Sequence, residues 1–237
     1  CVISASLAIA SSAAYVRPGA ALVHRRSRTD ARPPMAVDYG TLGTLPRSFG
    51  REAGEWVLAG EVPQQSRDGW EVATFAGGCF WGTELHYMRL DGVVSTCVGY
   101  TQGRVRQPMY TDVCRGITGH TEACQLIFDP DKVTYDELCA KLFETIDPTE
   151  IDRVGQDWGT QYRHGIYSHT PEQLQVAKAF VAREQPNYKR RIVTEVKPAS
   201  LFWPAEEMHQ QYLAKGRRFG RAQSRAKGCT DPVRCYG

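Results

Sequence analysis

Apolar positions recur along the chain with two different periods, and these periods predict its elements. From residue 70 onward, short apolar or alternating segments bounded by Gly, Pro or Asp are typical of strands. Between them, apolar residues spaced three and four apart are typical of amphipathic helices. The predicted strands are 70–78, 93–101, 122–130, 162–168 and 190–198, and the predicted helices are 80–90, 135–146, 170–184 and 205–215.

The order of these elements predicts the fold class. Strands that alternate with helices, joined by long polar loops, indicate an α+β fold. We expect a two-layer α/β sandwich with a ferredoxin-like core, in which helices cover a mixed sheet. The helix at 170–184 has the clearest start, because Thr170 suits the N-cap and Pro171 suits the first helical position.

The chain divides into three segments by composition. Residues 51–215 read as the folded, catalytic domain, whereas residues 1–50 read as a targeting or disordered segment. Residues 216–237 are rich in Gly, Arg and Lys and lack apolar periodicity, so we expect a coiled tail on the surface. This tail carries Cys229 and Cys235.

The first segment has the composition of a leader. A small-residue apolar run, "VISASLAIASSAA", precedes a stretch in which Asp30 is the one acid among several arginines. That order is typical of a signal peptide followed by a transit peptide, and it predicts delivery to a plastid. There are two alternatives: a disordered tail without a targeting function in a cytoplasmic protein, or a secretory leader. Because the chain begins with Cys1 rather than Met, we expect its natural start to lie upstream.

Charge and composition exclude several classes of protein. A formal net charge of +3, concentrated at the two ends, does not indicate a nucleic-acid-binding module. No apolar run reaches the roughly 18 residues of a membrane-spanning helix. The 8 cysteines are unevenly spaced, without a Cys-x-x-Cys pair, so neither a disulfide scaffold nor a zinc site is indicated. Thiol chemistry is the better hypothesis.

The sequence "GGCFWG" presents one thiol in an unusual setting. Cys79 follows an apolar strand and Gly77–Gly78, and a helix is predicted to begin directly after it. Unpaired N–H groups and the dipole at a helix start stabilise a thiolate, so we expect the pKa of Cys79 to be lowered. The glycines leave room for a substrate to approach. Phe80 and Trp81 are either core residues or the walls of a small apolar pocket.

Potential proton donors occur in three later segments. Tyr110 lies in a Pro-containing loop, Glu122 begins a predicted strand, and Asp157 and Tyr162 flank a glycine turn. A carboxyl kept protonated in an apolar pocket, together with tyrosine hydroxyls, can donate protons to an oxygen that must leave as water. Taken singly, Glu122 could equally be a surface carboxylate.

Several motifs of the chain occur together: "GGCFWGTE", "GYTQG", "YTDVCRGITGHTEA", "DWGTQYR" and "AEEMHQQYL", followed by the tail "KGCTDPVRCYG". In combination they resemble the peptide methionine sulfoxide reductases of type A, and the tail is similar to the plant and algal form. The resemblance covers about residues 70–237. The chain departs from the family pattern at four positions, none of them a presumed catalytic group: Gln102, Thr121, Trp158 and His164.

The resemblance implies a role for each candidate residue. Cys79 would attack the sulfoxide sulfur while Glu122 protonates the oxygen, and the remaining groups would shape the site. These are Tyr110 and Tyr162 as hydrogen-bond partners of the oxygen, Asp157 as a shaping residue, and Phe80 and Trp81 as the pocket for the S-methyl group. Cys79 would become a sulfenic acid, which Cys229 and Cys235 would convert to a disulfide.

The same resemblance implies the reaction partners. The substrate would be methionine-S-sulfoxide, free or in oxidised proteins, because different enzymes serve the two epimers. Thioredoxin, or dithiothreitol in vitro, would be the external reductant of a monomer without a resident cofactor or metal. We expect no nucleic-acid or membrane partner.

Two other functions remain open at the level of sequence. A cysteine hydrolase would pair Cys79 with His120 or His209, but it leaves the tail cysteines unexplained. A zinc-binding interaction module would use Cys229, Cys235 and His209 with another thiol, but short ligand pairs are missing. Cys97, Cys124 and Cys139 fit the core, and Cys114 is a spare loop thiol.

Overall fold

A six-stranded mixed sheet organises the part of the chain that the computed structural model describes, which is residues 37–40, 42–43, 45–217 and 220–235. The targeting segment therefore lies mostly outside the described residues. The strands are β1 Glu71–Ala76, β2 Val93–Thr101, β3 Thr121–Phe128, β4 Arg153–Val154, β5 Asp157–Trp158, β6 Gly165–Ser168, β7 Glu195–Pro198 and β8 Trp203–Pro204. The helices are α1 Gly50–Ala59, α2 Phe80–Met88, α3 Tyr110–Cys114, α4 Tyr135–Phe143 and α5 Pro171–Glu184.

The strand order confirms the predicted α+β fold. It runs β7-β6-β1-β3-β2-β8, with all pairs antiparallel except β6 and β7, while β4 and β5 form a separate hairpin. The central strands β1 and β3 are buried along nearly their whole length because both faces are covered. None of the helices in the described part of the chain is long and apolar enough to cross a membrane.

The two faces of the sheet pack against different elements. Phe75 of β1 belongs to a cluster with residues of α2, α4 and α5, and its ring stacks on Tyr87 with centroids 4.9 Å apart. Val72, on the opposite face of β1, packs in a cluster with Phe49 and Ala53 at the start of α1. Thus α2, α4 and α5 form the helical layer, and α1 covers part of the other face.

Local signals determine where the helices of this layer begin. The hydroxyl of Thr170 accepts the N–H of Gln173 at 3.1 Å, and Pro171 follows it, which confirms the predicted start of α5. Thr134 and Glu137 form a capping box at the start of α4.

One predicted element is wrong, and others have different bounds. Residues 207–217 form turns and residues 205–206 have no regular structure, where a helix at 205–215 was predicted. Gln211 has a φ of 52°, which interrupts a right-handed helix, and the amide of Gln210 bonds instead to the backbone of Val98. Helices α1 and α3 and the β4–β5 hairpin were not predicted, and β7 begins at Glu195, not at residue 190.

The turn before α2 is tightly packed. Gly78 has a φ of 77°, and a Cβ there would lie 2.6 Å from the Cβ of Val154 on β4. Only glycine satisfies both constraints without strain. The turn therefore fixes the distance between the start of α2 and the β4–β5 hairpin.

Gly78→Ala should lower the free energy of unfolding by about 2–3 kcal/mol, since it adds a clash with Val154 to left-handed strain. Gly60 is a matched control because its φ is also 77° but no atom would lie within 4 Å of a Cβ added there. Gly60→Ala should cost only about 1 kcal/mol. Urea denaturation measures both values, and equal losses would contradict the packing argument.

Candidate active site

Cys79 is the N-cap residue of α2, directly after the turn at Gly78. Its side chain is partly exposed, and its sulfur accepts the backbone N–H of Trp81. A helix N-terminus offers such unpaired N–H groups to negative charge. The predicted position of the thiol at the helix start is therefore confirmed.

The predicted lowering of the pKa of Cys79 is wrong for this arrangement. The pKa is raised well above its ordinary value, first by a hydrogen bond with Cys235, then by burial and by the nearby Glu122 carboxyl. The Trp81 N–H lowers the pKa but is outweighed. In this arrangement Cys79 is therefore a protonated thiol in contact with a second thiol.

Glu122 is a buried carboxyl beside this thiol. It lies on β3, opposite Tyr100 of β2, and its Oε2 accepts the backbone N–H of Phe80 at 3.0 Å. Burial raises the pKa of Glu122 to about 8, with Asp157 and Cys235 adding to the rise and the Phe80 N–H opposing it. The carboxyl therefore holds its proton near neutral pH and can donate it.

Two tyrosines lie close to Glu122. Tyr110 is the first residue of α3, and Tyr162 ends the 3₁₀ turn Thr160–Tyr162. Burial raises the pKa of each hydroxyl, and Glu122 raises both further. Both hydroxyls also form hydrogen bonds with the thiol of Cys114, so the spare loop thiol of the sequence lies within the site. Neutral hydroxyls at these positions can donate hydrogen bonds to a substrate oxygen.

Asp157 lines a cavity at the thiol. The cavity has a volume of about 360 Å³ and is bordered by Cys79, Asp157, Val154 and Cys235. Val154 and Asp157 are paired across the β4–β5 hairpin, so one face of this hairpin forms a wall of the cavity. The paired residues of the other face are Arg153 and Trp158, and Trp158 is 78% exposed. Trp158, one of the four departures from the family pattern, therefore lies outside the cavity.

Phe80 and Trp81 occupy different environments. Phe80 is buried, with ring centroids 5.8 Å from Tyr100 and 6.4 Å from Tyr110. Trp81 is partly exposed and stacks on Tyr212, with centroids 3.8 Å apart. Phe80 is thus part of the core beside Cys79, whereas Trp81 is half-buried.

The C-terminal tail packs onto the end of α2. Arg89 Nε donates to the carbonyl of Ser224 at 2.9 Å, and the N–H of Gly228 donates to the carbonyl of Arg89 at 2.9 Å. These bonds bring Cys235 into contact with Cys79, whereas Cys229 borders a separate cavity beside Arg89. The described residues 220–235 form neither a helix nor a strand.

Sequence reasoning missed a supporting group in the segment 205–213. Glu206 Oε1 accepts the N–H of Tyr110 at 3.2 Å, and its Oε2 accepts the hydroxyl of Tyr100 at 2.9 Å. The sequence suggested His209 only as a hydrolase base or a zinc ligand, but in the structure it accepts a hydrogen bond from the indole of Trp81. The motif "AEEMHQQYL" contains Glu206 and His209 and could have identified them as site residues. Because this segment was predicted as a helix, the positions of its side chains were not predicted.

The two alternative functions lack support in this geometry. His120 Nε2 bonds to the carbonyl of Val105 at 2.8 Å, and His209 Nδ1 accepts from Trp81 Nε1 at 3.2 Å. Neither imidazole is therefore arranged as the base of Cys79. Among the described residues, no group of three His, Cys, Asp or Glu side chains is placed to hold a metal.

A thiol at a helix start, a protonated carboxyl and neutral hydroxyls suit a thiol-dependent oxidoreductase, and comparisons identify the family. The model of the peptide methionine sulfoxide reductase family matches residues 71–233. Peptide methionine sulfoxide reductase A3 from Arabidopsis thaliana is 52% identical over 70% of this chain and 83% of its own length. The chloroplastic form A4 from the same plant is 45% identical over 90% of this chain and 83% of its own length.

Solved structures agree with the sequence comparisons. Methionine sulfoxide reductase A of Corynebacterium diphtheriae is 37% identical, with a TM-score of 0.60 over 65% of this chain and 82% of that one. Mxr1 from Saccharomyces cerevisiae in reduced form is 34% identical, with a TM-score of 0.61 over 65% and 90%. The chain belongs to the peptide methionine sulfoxide reductase family. It is an oxidoreductase that reduces methionine sulfoxide to methionine.

Glu122→Gln should stabilise the protein at alkaline pH. In the folded state the pKa of Glu122 is raised from 4.5 to about 8, so the native state binds the extra proton between these values. Wild-type stability should therefore fall with rising pH across this interval, by up to about 1.4 kcal/mol per pH unit from this group. The variant should lack that fall, and the two proteins should converge below pH 4.5.

Urea denaturation at several pH values measures the difference. Glu172→Gln on the exposed start of α5 is the control, and its stability should remain parallel to that of the wild type. A constant difference between Glu122→Gln and wild type at all pH values would show that Glu122 does not hold the extra proton.

Proposed function

We propose that Cys79 attacks the sulfur of methionine sulfoxide while Glu122 protonates the sulfoxide oxygen. The observation that carries this proposal is the 3.0 Å hydrogen bond from the N–H of Phe80 to Glu122 Oε2. It joins a buried carboxyl, with a pKa raised to about 8, to the residue that follows the nucleophile. Protonation of the oxygen makes the sulfur more electrophilic at the moment of attack.

The proposed step transfers one oxygen atom. The attack forms a transient bond between the Cys79 sulfur and the substrate sulfur. This bond and the S–O bond of the substrate then break as a new S–O bond forms on Cys79, so methionine leaves as the thioether and Cys79 becomes a sulfenic acid. The substrate sulfur is reduced by two electrons, and the Cys79 sulfur is oxidised by two. Glu122 donates its proton to the departing oxygen. The resulting carboxylate takes the proton that the Cys79 thiol loses, so Glu122 ends the step protonated.

The remaining site residues support substrate binding. Tyr110 and Tyr162 donate hydrogen bonds to the sulfoxide oxygen, while Phe80 and Trp81 contact the S-methyl group and Asp157 shapes the cavity. A site that contacts the oxygen, the methyl group and the rest of the substrate at three different points distinguishes the two sulfoxide epimers. Such a site accepts one sulfoxide epimer, and we assign it the S epimer by resemblance to type A enzymes.

Recycling begins with Cys235. Its contact with Cys79 supports the view that it condenses with the sulfenic acid, which releases water and forms a disulfide. Because Cys229 borders another cavity, we assign it a later step, in which it exchanges with this disulfide at the surface.

An external dithiol completes the cycle. Thioredoxin is the proposed reductant, which dithiothreitol replaces in vitro, and no resident cofactor takes part. The substrates are free methionine sulfoxide and oxidised proteins. One chain supplies every group named here, so we propose that the monomer is the active form.

The proposed location is a plastid. Relatives described as chloroplastic, from Arabidopsis thaliana and Oryza sativa subsp. japonica, are 45% and 50% identical to this chain. They support the assignment of residues 1–50 as a targeting segment, followed by a catalytic domain at 51–215 and a recycling tail at 216–237.

Cys79→Ser should abolish reduction of methionine sulfoxide with dithiothreitol, because the nucleophile is lost. Glu122→Ala should lower kcat by about 100-fold, the usual effect of losing a general acid. Glu172→Ala on the exposed start of α5 is the control and should match the wild type. Full activity of Cys79→Ser, or a loss of less than about threefold for Glu122→Ala, would refute the assigned roles.

The two tail cysteines should respond differently to a single equivalent of methionine sulfoxide. Cys229→Ser should accumulate a Cys79–Cys235 disulfide, whereas wild type should proceed to a disulfide that includes Cys229; peptide mapping distinguishes the two. Cys235→Ser should instead retain a sulfenic acid on Cys79 that reacts with dimedone, and its turnover with thioredoxin should fall about tenfold or more. The opposite result, with Cys229→Ser accumulating the sulfenic acid, would assign the first attack to Cys229.

A further inference from the structure

The indole of Trp81 is held by two different contacts. Its ring stacks on Tyr212, with centroids 3.8 Å apart and planes at 8°. Its Nε1–H donates a hydrogen bond to His209 Nδ1 at 3.2 Å. Stacking fixes the plane of an aromatic ring but permits sliding and rotation within that plane. The bond to His209 removes this remaining freedom, because it fixes the position of one edge.

This hydrogen bond determines the tautomer of His209. Since Nδ1 accepts, the ring proton must lie on Nε2, and the ring must be neutral. Burial lowers the pKa of His209, which maintains this state. The ring of His209 is only 3% exposed and packs against Tyr110, with centroids 4.3 Å apart. His209 is therefore rigidly placed itself.

Glu206 extends the network from His209 to the other side of the site. The Nε2 of His209 lies 3.9 Å from Glu206 Oε2, a distance that allows attraction but not a direct hydrogen bond. The same carboxylate accepts from the hydroxyl of Tyr100 and the N–H of Tyr110. The turn segment that contains Glu206 and His209 therefore contacts both Trp81 and Tyr110.

We propose that His209 is a positioning residue, which holds the indole of Trp81 at the angle that closes the pocket for the S-methyl group. This inference rests on the proposed role of Trp81 in substrate binding. A methyl group offers no hydrogen bond, so its recognition depends on the shape of the pocket alone. An indole free to rotate would leave the pocket open for part of the time and weaken binding.

Three substitutions distinguish the effect of the Trp81–His209 hydrogen bond from the effect of side-chain packing. His209→Ala removes the acceptor, whereas His209→Asn keeps an oxygen near the position of Nδ1. Trp81→Phe keeps an aromatic ring but removes the donor. Met208→Ala changes the exposed neighbour of His209 and is the control.

Hydrogen–deuterium exchange of the indole N–H tests the Trp81–His209 hydrogen bond directly. The Nε1–H resonance of Trp81, identified by its absence in Trp81→Phe, should exchange slowly with deuterium in wild type and His209→Asn. In His209→Ala it should exchange about tenfold faster or more, because the proton loses its acceptor. Equal exchange rates in wild type and His209→Ala would overturn the proposal.

Steady-state kinetics test the consequence for substrate binding. His209→Ala should raise KM for methionine sulfoxide about tenfold with little change in kcat, since the lost interaction positions a binding wall. His209→Asn should restore KM to near the wild-type value. In Trp81→Phe, the addition of His209→Ala should have little further effect, because the bond is already missing.

The outcomes distinguish this inference from the proposed function. If Trp81→Phe raises KM but His209→Ala does not, the positioning role is wrong and the methyl pocket stands. If Trp81→Phe itself binds substrate like wild type, the proposed pocket is wrong, and the inference fails with it. Multiplicative effects of the two substitutions, or no rescue by His209→Asn, would also overturn the positioning role.

Discussion

The hydrogen bond from the N–H of Phe80 to the buried carboxyl of Glu122 is the interaction on which the site depends. It joins the start of α2 to strand β3, and so it holds the Glu122 carboxyl close to Cys79. A buried carboxyl without such a partner would cost several kcal/mol. Glu122 reduces this cost by remaining protonated, and the proton it retains is the one that the proposed mechanism donates. Protonation of Glu122 therefore both reduces the cost of burying its carboxyl and supplies the proton of the proposed reaction.

The tail imposes a second constraint, which acts on the nucleophile. Cys235 reaches Cys79 because Arg89 and Gly228 hold the tail against the end of α2. The contact raises the pKa of Cys79, so the resting thiol is less reactive than a helix N-terminus alone would make it. Within the proposed mechanism, the group that recycles Cys79 also protects it from indiscriminate oxidation.

Much of the fold could be predicted from local pattern, and the failures have physical causes. The apolar strand that ends at Gly77–Gly78 and the capped start of α5 carry their own signals, and both lie where the sequence predicted. The segment 205–215 has a helical pattern, but its glutamines bond to the backbone of β2 and to other segments, which only tertiary contacts decide. Helix α1 was missed because it lies at the edge of a segment assigned as a leader.

The sequence predicted a carboxyl kept protonated by burial, which Glu122 provides, whereas it predicted the wrong direction for the pKa shift of Cys79. The position of Cys79 at the helix start followed from local sequence, but the effect of Cys235 on its pKa depends on a contact between residues 156 positions apart. Glu206 and His209 were not identified as supporting groups, because their partners Tyr110 and Trp81 lie in distant segments. Long-range contacts of this kind leave no periodic trace in a single sequence.

The most direct test of this account is the protonation state of Glu122, measured by infrared difference spectroscopy between wild type and Glu122→Gln. The account predicts the C=O stretching band of a protonated carboxylic acid in wild type at neutral pH, absent from the variant and lost as the pH rises past about 8. A difference spectrum at neutral pH that contains only carboxylate bands would show that Glu122 is ionised. That result would contradict its role as the proton donor.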